Sequence, residues 1–113
     1  MIEDTVKSQI LDVIFRKLDK EKLCVVLFGS SAYNADTPYS DIDIGLFYSK
    51  PIDDNTFLSL KDDLNLLVDT GRIIDLVDFS RVDKEFLEFA LKEAIIWHIG
   101  IDFLKNLTKL KEL

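Results

Sequence analysis

Leu23-Cys24-Val25-Val26-Leu27-Phe28-Gly29-Ser30, followed after ten intervening residues by Asp41-Ile42-Asp43-Ile44-Gly45-Leu46-Phe47, decides how the chain is read. The first six residues are continuously apolar and include two valines, so they predict a central strand buried on both faces. Gly29-Ser30-Ser31 ends that run, and Ser30 or Ser31 is suited to cap a short helix that stops near Asn34. Residues 35–40 are polar and contain Pro38, which makes them a loop. Over 41–47 acid alternates with aliphatic. Asp41, Asp43 and Gly45 fall on one face, and Ile42, Ile44 and Leu46 on the other. A period of two predicts a strand with one face in the core and one turned toward a site.

Outward from this unit, residues 2 to about 20 read as a helix, with Ile2, Val6, Ile10, Val13 and Ile14 recurring at spacings of three and four. Beyond residue 47, Lys50-Pro51 turns the chain. Asp53, Asp54 or Asn55 can cap a second helix striped by Phe57, Leu60, Leu64 and Leu67, with Gly71 fitting the position just past its end. Residues 72–79 predict a third strand. Asp83 can cap a third long helix whose buried face is Phe86, Leu87, Ala90, Leu91, Ala94 and Ile95. Residues 99–104 suit either a short edge strand or more helix, and the tail from 106 to 113 is amphipathic through Leu107, Leu110 and Leu113. Helices alternating with apolar strands imply an α/β (α+β) sandwich with helices covering a short sheet.

Composition bounds what such a fold can do. A chain of 113 residues, 48% hydrophobic and with 8 Phe, points to one folded domain, 1–113, with a core of its own. No linker or repeat divides it. Cys24 is the only cysteine and reads as a small buried hydrophobe; His98 is the only histidine, which excludes a zinc site of several His and Cys ligands. With no signal-peptide layout at the N-terminus and no apolar run near the ~20 residues that span a bilayer, a reducing cytoplasm is expected and no membrane association. Fourteen basic against 21 acidic residues leave a net charge of −7, which argues against direct nucleic-acid binding. A nucleotide remains compatible, because divalent cations can sit between an acidic site and a triphosphate.

The same stretch carries the chemistry. Gly29, lacking Cβ, lets a ligand approach the backbone. If Ser30 begins a helical turn, its N–H and those just after it, Ser31 included, point outward and bind phosphate oxygens, and the Ser30 hydroxyl adds a donor. Asp41 and Asp43 leave one face of a strand and repel each other, with no cationic partner close in sequence. Mg²⁺ resolves that conflict, and two metals about 4 Å apart would clamp an in-line displacement at phosphorus. A third carboxylate is wanted from the next strand. Asp75 and Asp78 are the candidates, and since they lie three apart only one can point into the site. Either half alone is ordinary turn or strand-edge chemistry. In order, across a strand–loop–strand unit, they are specific.

The motif Gly-Ser, ten residues, Asp-x-Asp resembles the signature of the DNA polymerase beta-like nucleotidyltransferase superfamily. The chain's small size and its Ile74-Asp75-Leu76-Val77-Asp78 run resemble the minimal, MNT-type members. The resemblance implies a mixed, twisted sheet flanked by helices, and Mg²⁺-dependent transfer of a nucleoside monophosphate from a triphosphate, with ATP the expected donor, to a hydroxyl. By position it assigns Gly29 and Ser30 to the triphosphate, Asp41 and Asp43 to metal, and Asp75 to metal and to deprotonation of the acceptor. It further implies a HEPN-domain partner in a toxin–antitoxin system, in which a tyrosine of the toxin is adenylylated. In the family pattern an Arg usually follows Gly-Ser and a Gly stands four places beyond the serine; here these are Ser31 and Asn34.

The chain has no residues to spare for an acceptor-binding domain, so the acceptor is expected to be delivered by another protein. A binding module that neutralises the same partner by contact alone, its nucleotide site vestigial, is the alternative; oligomeric state is left open. Trp97, His98 and the flanking isoleucines read as core or partner surface near the end of the third helix. Tyr33 and Tyr39 suit either stacking on a base or covering their own loop. Lys105, Lys109 and Lys111 read as a solvated basic face of the tail.

Overall fold

The run Leu23–Phe28 is strand β1, and all six of its residues are buried. Its position explains why: β1 is paired antiparallel on both edges, with β2 (Ile42–Tyr48) on one side and β4 (Ile95–Ile99) on the other, while β2 pairs in parallel with β3 (Ile74–Asp78). The sheet order is β3-β2-β1-β4. A computed structural model describes residues 2–32, 37 and 39–111, and among these four helices complete the fold: α1 (Asp4–Phe15), α2 (Asp54–Leu67), α3 (Lys84–Leu91) and α4 (Ile101–Lys111). It is the expected mixed sheet flanked by helices. Among the described residues no helix is long and apolar enough to cross a membrane.

Alternation along each strand splits the interior in two. Leu23, Val25 and Leu27 join Ile42, Ile44, Leu46, Ile74 and Leu76 in a large core under α1 and α2. Cys24, Val26 and Phe28 turn to the opposite side, where they meet Phe79 and Ala90 in a smaller cluster that α3 and α4 flank. Burial raises the pKa of the Cys24 thiol, which matches its reading as a small hydrophobe. Gly45 belongs to this second face. A Cβ there would run into the ring of Phe79, itself tilted against Phe28 and Phe47 at centroid distances of 5.3 and 4.9 Å. Gly45→Ala is therefore expected to cost about 1–3 kcal/mol by overpacking. Denaturant melts check this: the midpoint should fall with the slope unchanged.

The helix termini follow from local chemistry where caps exist. Asp53 caps α2 by accepting from the Thr56 N–H at 2.8 Å, a bond that holds its carboxyl below the ordinary value, and Asp83 caps α3 through the Phe86 N–H at 2.7 Å. Where the sequence offers no stop, the boundaries differ from expectation. α1 ends at Phe15, not near residue 20, because Arg16 and Lys17 tighten into bonds to Val13 and Ile14, and Asp19 then accepts from the Glu21 N–H to start a separate 3₁₀ turn, Lys20–Lys22. Gly71 is not the residue past α2. That helix ends at Val68 by stepping into extended backbone, and Gly71 lies in open space farther on.

The largest correction concerns the third helix, which stops at Leu91. Ala94 precedes β4 and Ile95 is part of it, so neither extends a helical face; of the expected stripe Ala90 is buried, while Phe86 and Leu91 keep substantial exposure. An unpaired edge of β1 would leave a row of backbone groups unsatisfied, and the β-branched Ile95 and Ile96 meet that need better than a further helical turn. The register shifts opposite Val25 and Val26, a bulge that makes Trp97 the extra residue. Trp97 and His98 therefore sit on a strand, not a helix. His98 Nε2 lies 2.7 Å from the Lys20 carbonyl, and its ring packs edge-on against Phe15. Gly100 then turns the chain into α4, where a Cβ would strike the carbonyls of Lys20 and Glu21. The readings of Tyr33, Asn34, the side chain of Leu110, and Leu113 lie outside the described residues. Tyr39 is 91% exposed and covers no core.

Candidate active site

β1 ends at Phe28, the register partner of Asp43 on β2, and Asp43 is in turn the register partner of Asp75 on β3. Neighbouring strands lie about 4.8 Å apart, so two carboxylates leave one face of the sheet side by side. Gly29, just past Phe28, has φ 73°, and a Cβ on it would fall on the Asp43 carboxylate. Glycine is required here twice over, by the left-handed backbone and by the close approach of an acid. The Gly29–Ala32 segment is a short 3₁₀ helix, which begins at Gly29, ahead of the expected Ser30 or Ser31 cap.

The third strand distributes its acids by parity. Ile74 and Leu76 enter the large core, Asp75 takes the face of Asp43, and Asp78 points to the far side. Asp78 is 5% exposed and structurally occupied: its Oδ1 accepts from the Ser80 N–H at 3.0 Å and the Ser80 hydroxyl at 2.8 Å, and its Oδ2 lies 3.4 Å from Arg81 Nε. β2 begins at Ile42, so Asp41 stands just before the strand and is exposed.

Electrostatics single out Asp43. Its pKa is pushed from 3.8 to about 6, first by burial and then by the charges of Asp75 and Asp41. A carboxylate raised by desolvation and by two like charges is a group poised for a cation. Among the described residues no three His, Cys, Asp or Glu side chains form a ready metal cluster. The donor set instead fits Mg²⁺ as it is commonly held, by one or two carboxylates with water and substrate phosphate supplying the rest.

The Ser31 side chain serves the turn itself. Its side chain is buried, and its hydroxyl accepts from Arg72 Nη2 at 2.8 Å and lies 3.5 Å from the Asp41 carbonyl, so it faces the protein interior and not a ligand. Arg72 is the residue that sequence reasoning misses. Patterning makes it the first residue of a strand that in fact begins only at Ile74, and no motif or spacing marks it. The tightness of its ties is visible only in three dimensions.

Comparison with known proteins bears on the fold and the family. The family described as "Polymerase beta, Nucleotidyltransferase" matches residues 9–98. No curated protein matches the chain. Among solved structures, a toxin–antitoxin with AMP-PNP is similar at a TM-score of 0.69 and 19% identity, over 94% of this chain and 87% of that one. A complex of a tri-AMPylated Shewanella oneidensis HEPN toxin with an MNT antitoxin is similar at a TM-score of 0.68 and 16% identity, over 98% and 88%. A toxin–antitoxin MntA–HepT follows at 0.66 and 17%, over 97% and 88%. At such identities the likeness is one of fold.

Proposed function

Since the chain belongs to the polymerase beta nucleotidyltransferase family, we propose that it transfers AMP from ATP to a hydroxyl, specifically a tyrosine of a HEPN-type partner protein, and so acts as an antitoxin. The observation that carries the reading is the register pair Asp43–Asp75 set directly beside Gly29. Support for the partner comes from the similar solved structures, which include a HEPN toxin carrying AMP groups bound to an MNT antitoxin.

In this reading the Gly29-Ser30-Ser31 turn binds the triphosphate through its backbone, with the Ser30 hydroxyl as a further donor. Asp41, Asp43 and Asp75 are the residues that would hold Mg²⁺, which supplies charge neutralisation at the attacking and leaving oxygens. Asp75, the more exposed of the register pair, takes the proton from the acceptor hydroxyl. The acceptor oxygen forms its bond to the α-phosphorus as the bond to pyrophosphate breaks.

The two acids of β3 make the test. Asp75→Asn should reduce label transfer from α-labelled ATP to the partner by about 10²–10³-fold, several kcal/mol of lost charge stabilisation, without lowering the melting temperature. Asp78→Asn should do the reverse, costing about 1–3 kcal/mol of stability by setting an amide NH2 where the buried Oδ2 now faces Arg81 Nε, and sparing transfer at low temperature. Transfer that is indifferent to Asp75 would overturn the assignment. Neutralisation of the partner that persists in full when transfer is abolished would assign the chain a binding role in place of a catalytic one.

A further inference from the structure

Arg72 joins three segments that are far apart in sequence. Its Nε donates to the Ser40 carbonyl at 2.7 Å, and its Nη2 donates to the Ser31 hydroxyl at 2.8 Å. Ser40 immediately precedes Asp41. Ser31 is the centre of the Gly29–Ala32 turn and is 6% exposed. Arg72 itself stands two residues before β3, three before Asp75. One planar group therefore fastens the turn after β1, the approach to β2 and the approach to β3, which are the segments carrying every residue of the candidate site.

The geometry also says why the group is a guanidinium. The two bonds leave different nitrogens of one rigid fork and reach acceptors on separate segments, which an ammonium, a single point of charge on a flexible stem, does not reproduce. The Ser31 hydroxyl is buried, so losing the Arg72 donor leaves it only its long 3.5 Å bond to the Asp41 carbonyl. The backbone beside it has no slack, since Gly29 already abuts the Asp43 carboxylate.

We propose that Arg72 is a positioning residue: its fork holds the Gly29–Ala32 turn in register with Asp41, Asp43 and Asp75, and thereby sets where a triphosphate lies relative to the carboxylates. The inference deepens the nucleotidyltransferase reading and rests on it for its catalytic consequence. The clamp itself can be read without any catalysis.

The experiment compares wild type, Arg72→Ala, Arg72→Lys and Ser31→Ala by amide hydrogen exchange and by transfer from α-labelled ATP. Arg72→Ala should speed exchange in residues 29–32 and 40–43 while amides of α1 and β1 exchange as in wild type. Transfer should fall about 10²-fold in kcat/KM, the cost of a misplacement near 1 Å, with most of the loss in KM for the nucleotide because the turn holds phosphate in ground and transition states alike. Arg72→Lys should resemble Arg72→Ala, Ser31→Ala should show a weaker form of both effects, and free guanidinium ion should restore part of the transfer in Arg72→Ala alone. Exchange that is unchanged, or raised evenly across the sheet, overturns the clamp. An Arg72→Lys protein matching wild type overturns the fork argument, and an opened turn with unaltered kcat and KM overturns the positioning role. If wild type itself transfers nothing, the enzymatic reading fails, and the exchange pattern still decides the clamp.

Discussion

Asp43→Asn is expected to cut nucleotidyl transfer about 10³-fold and at the same time to stabilise the metal-free protein. The loss of activity follows from the position of Asp43 at the centre of the proposed site, between Gly29 and Asp75, with Asp41 close enough to affect its charge. Removing one anionic oxygen ligand from such a centre costs several kcal/mol of transition-state stabilisation, a fall in kcat of about 10³-fold. The gain in stability follows from the same crowding. Asp43 titrates near 6 in the fold against an ordinary 3.8, so at neutral pH its ionised form opposes folding. The penalty is complete above the folded value, diminishes as pH falls from about 6 to about 4, and vanishes below the unfolded value. Because the side chain is only partly buried, solvent screening reduces the worth of the shift to about 1 kcal/mol. Melting in EDTA at pH 8 should then rise by roughly 4 °C in Asp43→Asn, and the difference should close on approaching pH 4. An Asp43→Asn protein that transfers normally would refute the site. One that melts lower than wild type at pH 8 would refute the electrostatic account. The carboxylates are held together at a cost that protonation relieves at low pH and that a bound cation would relieve at neutral pH.

Gly29→Ala should be damaging for a different reason. At φ 73° a side chain costs about 1–2 kcal/mol in backbone strain alone. The new Cβ would also displace the Asp43 carboxylate, the group around which the site is built. Transfer should fall about 10²-fold or more, as expected when a reacting group is moved by about 1 Å, and stability should fall together with activity, unlike in Asp43→Asn. Gly71→Ala supplies the contrast, since that glycine has open space around it and should tolerate the methyl to within about 0.5 kcal/mol. Urea unfolding and transfer assays on the two variants give the comparison. Normal transfer by Gly29→Ala would mean that the turn does not approach the substrate as the geometry requires.

Much of this molecule is written in local pattern. Continuous apolarity in Leu23–Phe28, with its two valines and the Gly29 that ends it after six residues, reads as a doubly covered strand, and all six side chains are buried. Alternation from Asp41 to Phe47 places Ile42, Ile44 and Leu46 in the core and leaves the acids on the other face, since side chains in a strand take opposite sides in turn. Asp53 and Asp83 are legible as caps because their bonds reach only three residues along the chain. Parity puts Asp75 and Asp78 on opposite faces of any regular strand, but it does not say which of them meets Asp43.

What the chain's own pattern determined, then, is whatever is settled within a few residues: strand and helix periods, caps, and the order Gly-Ser then Asp-x-Asp. Tertiary structure alone decided the rest. It made Ile95–Ile99 a strand where helical spacing was equally good, because the open edge of β1 demanded backbone partners that no nearby residue could reveal. It brought Arg72 to Ser31 and Ser40 across 41 and 32 residues, and it raised the pKa of Asp43 by burying the carboxyl and setting Asp75 beside it. Hydrogen bonds and charges act over a few ångströms of space, and distance along the sequence does not measure that.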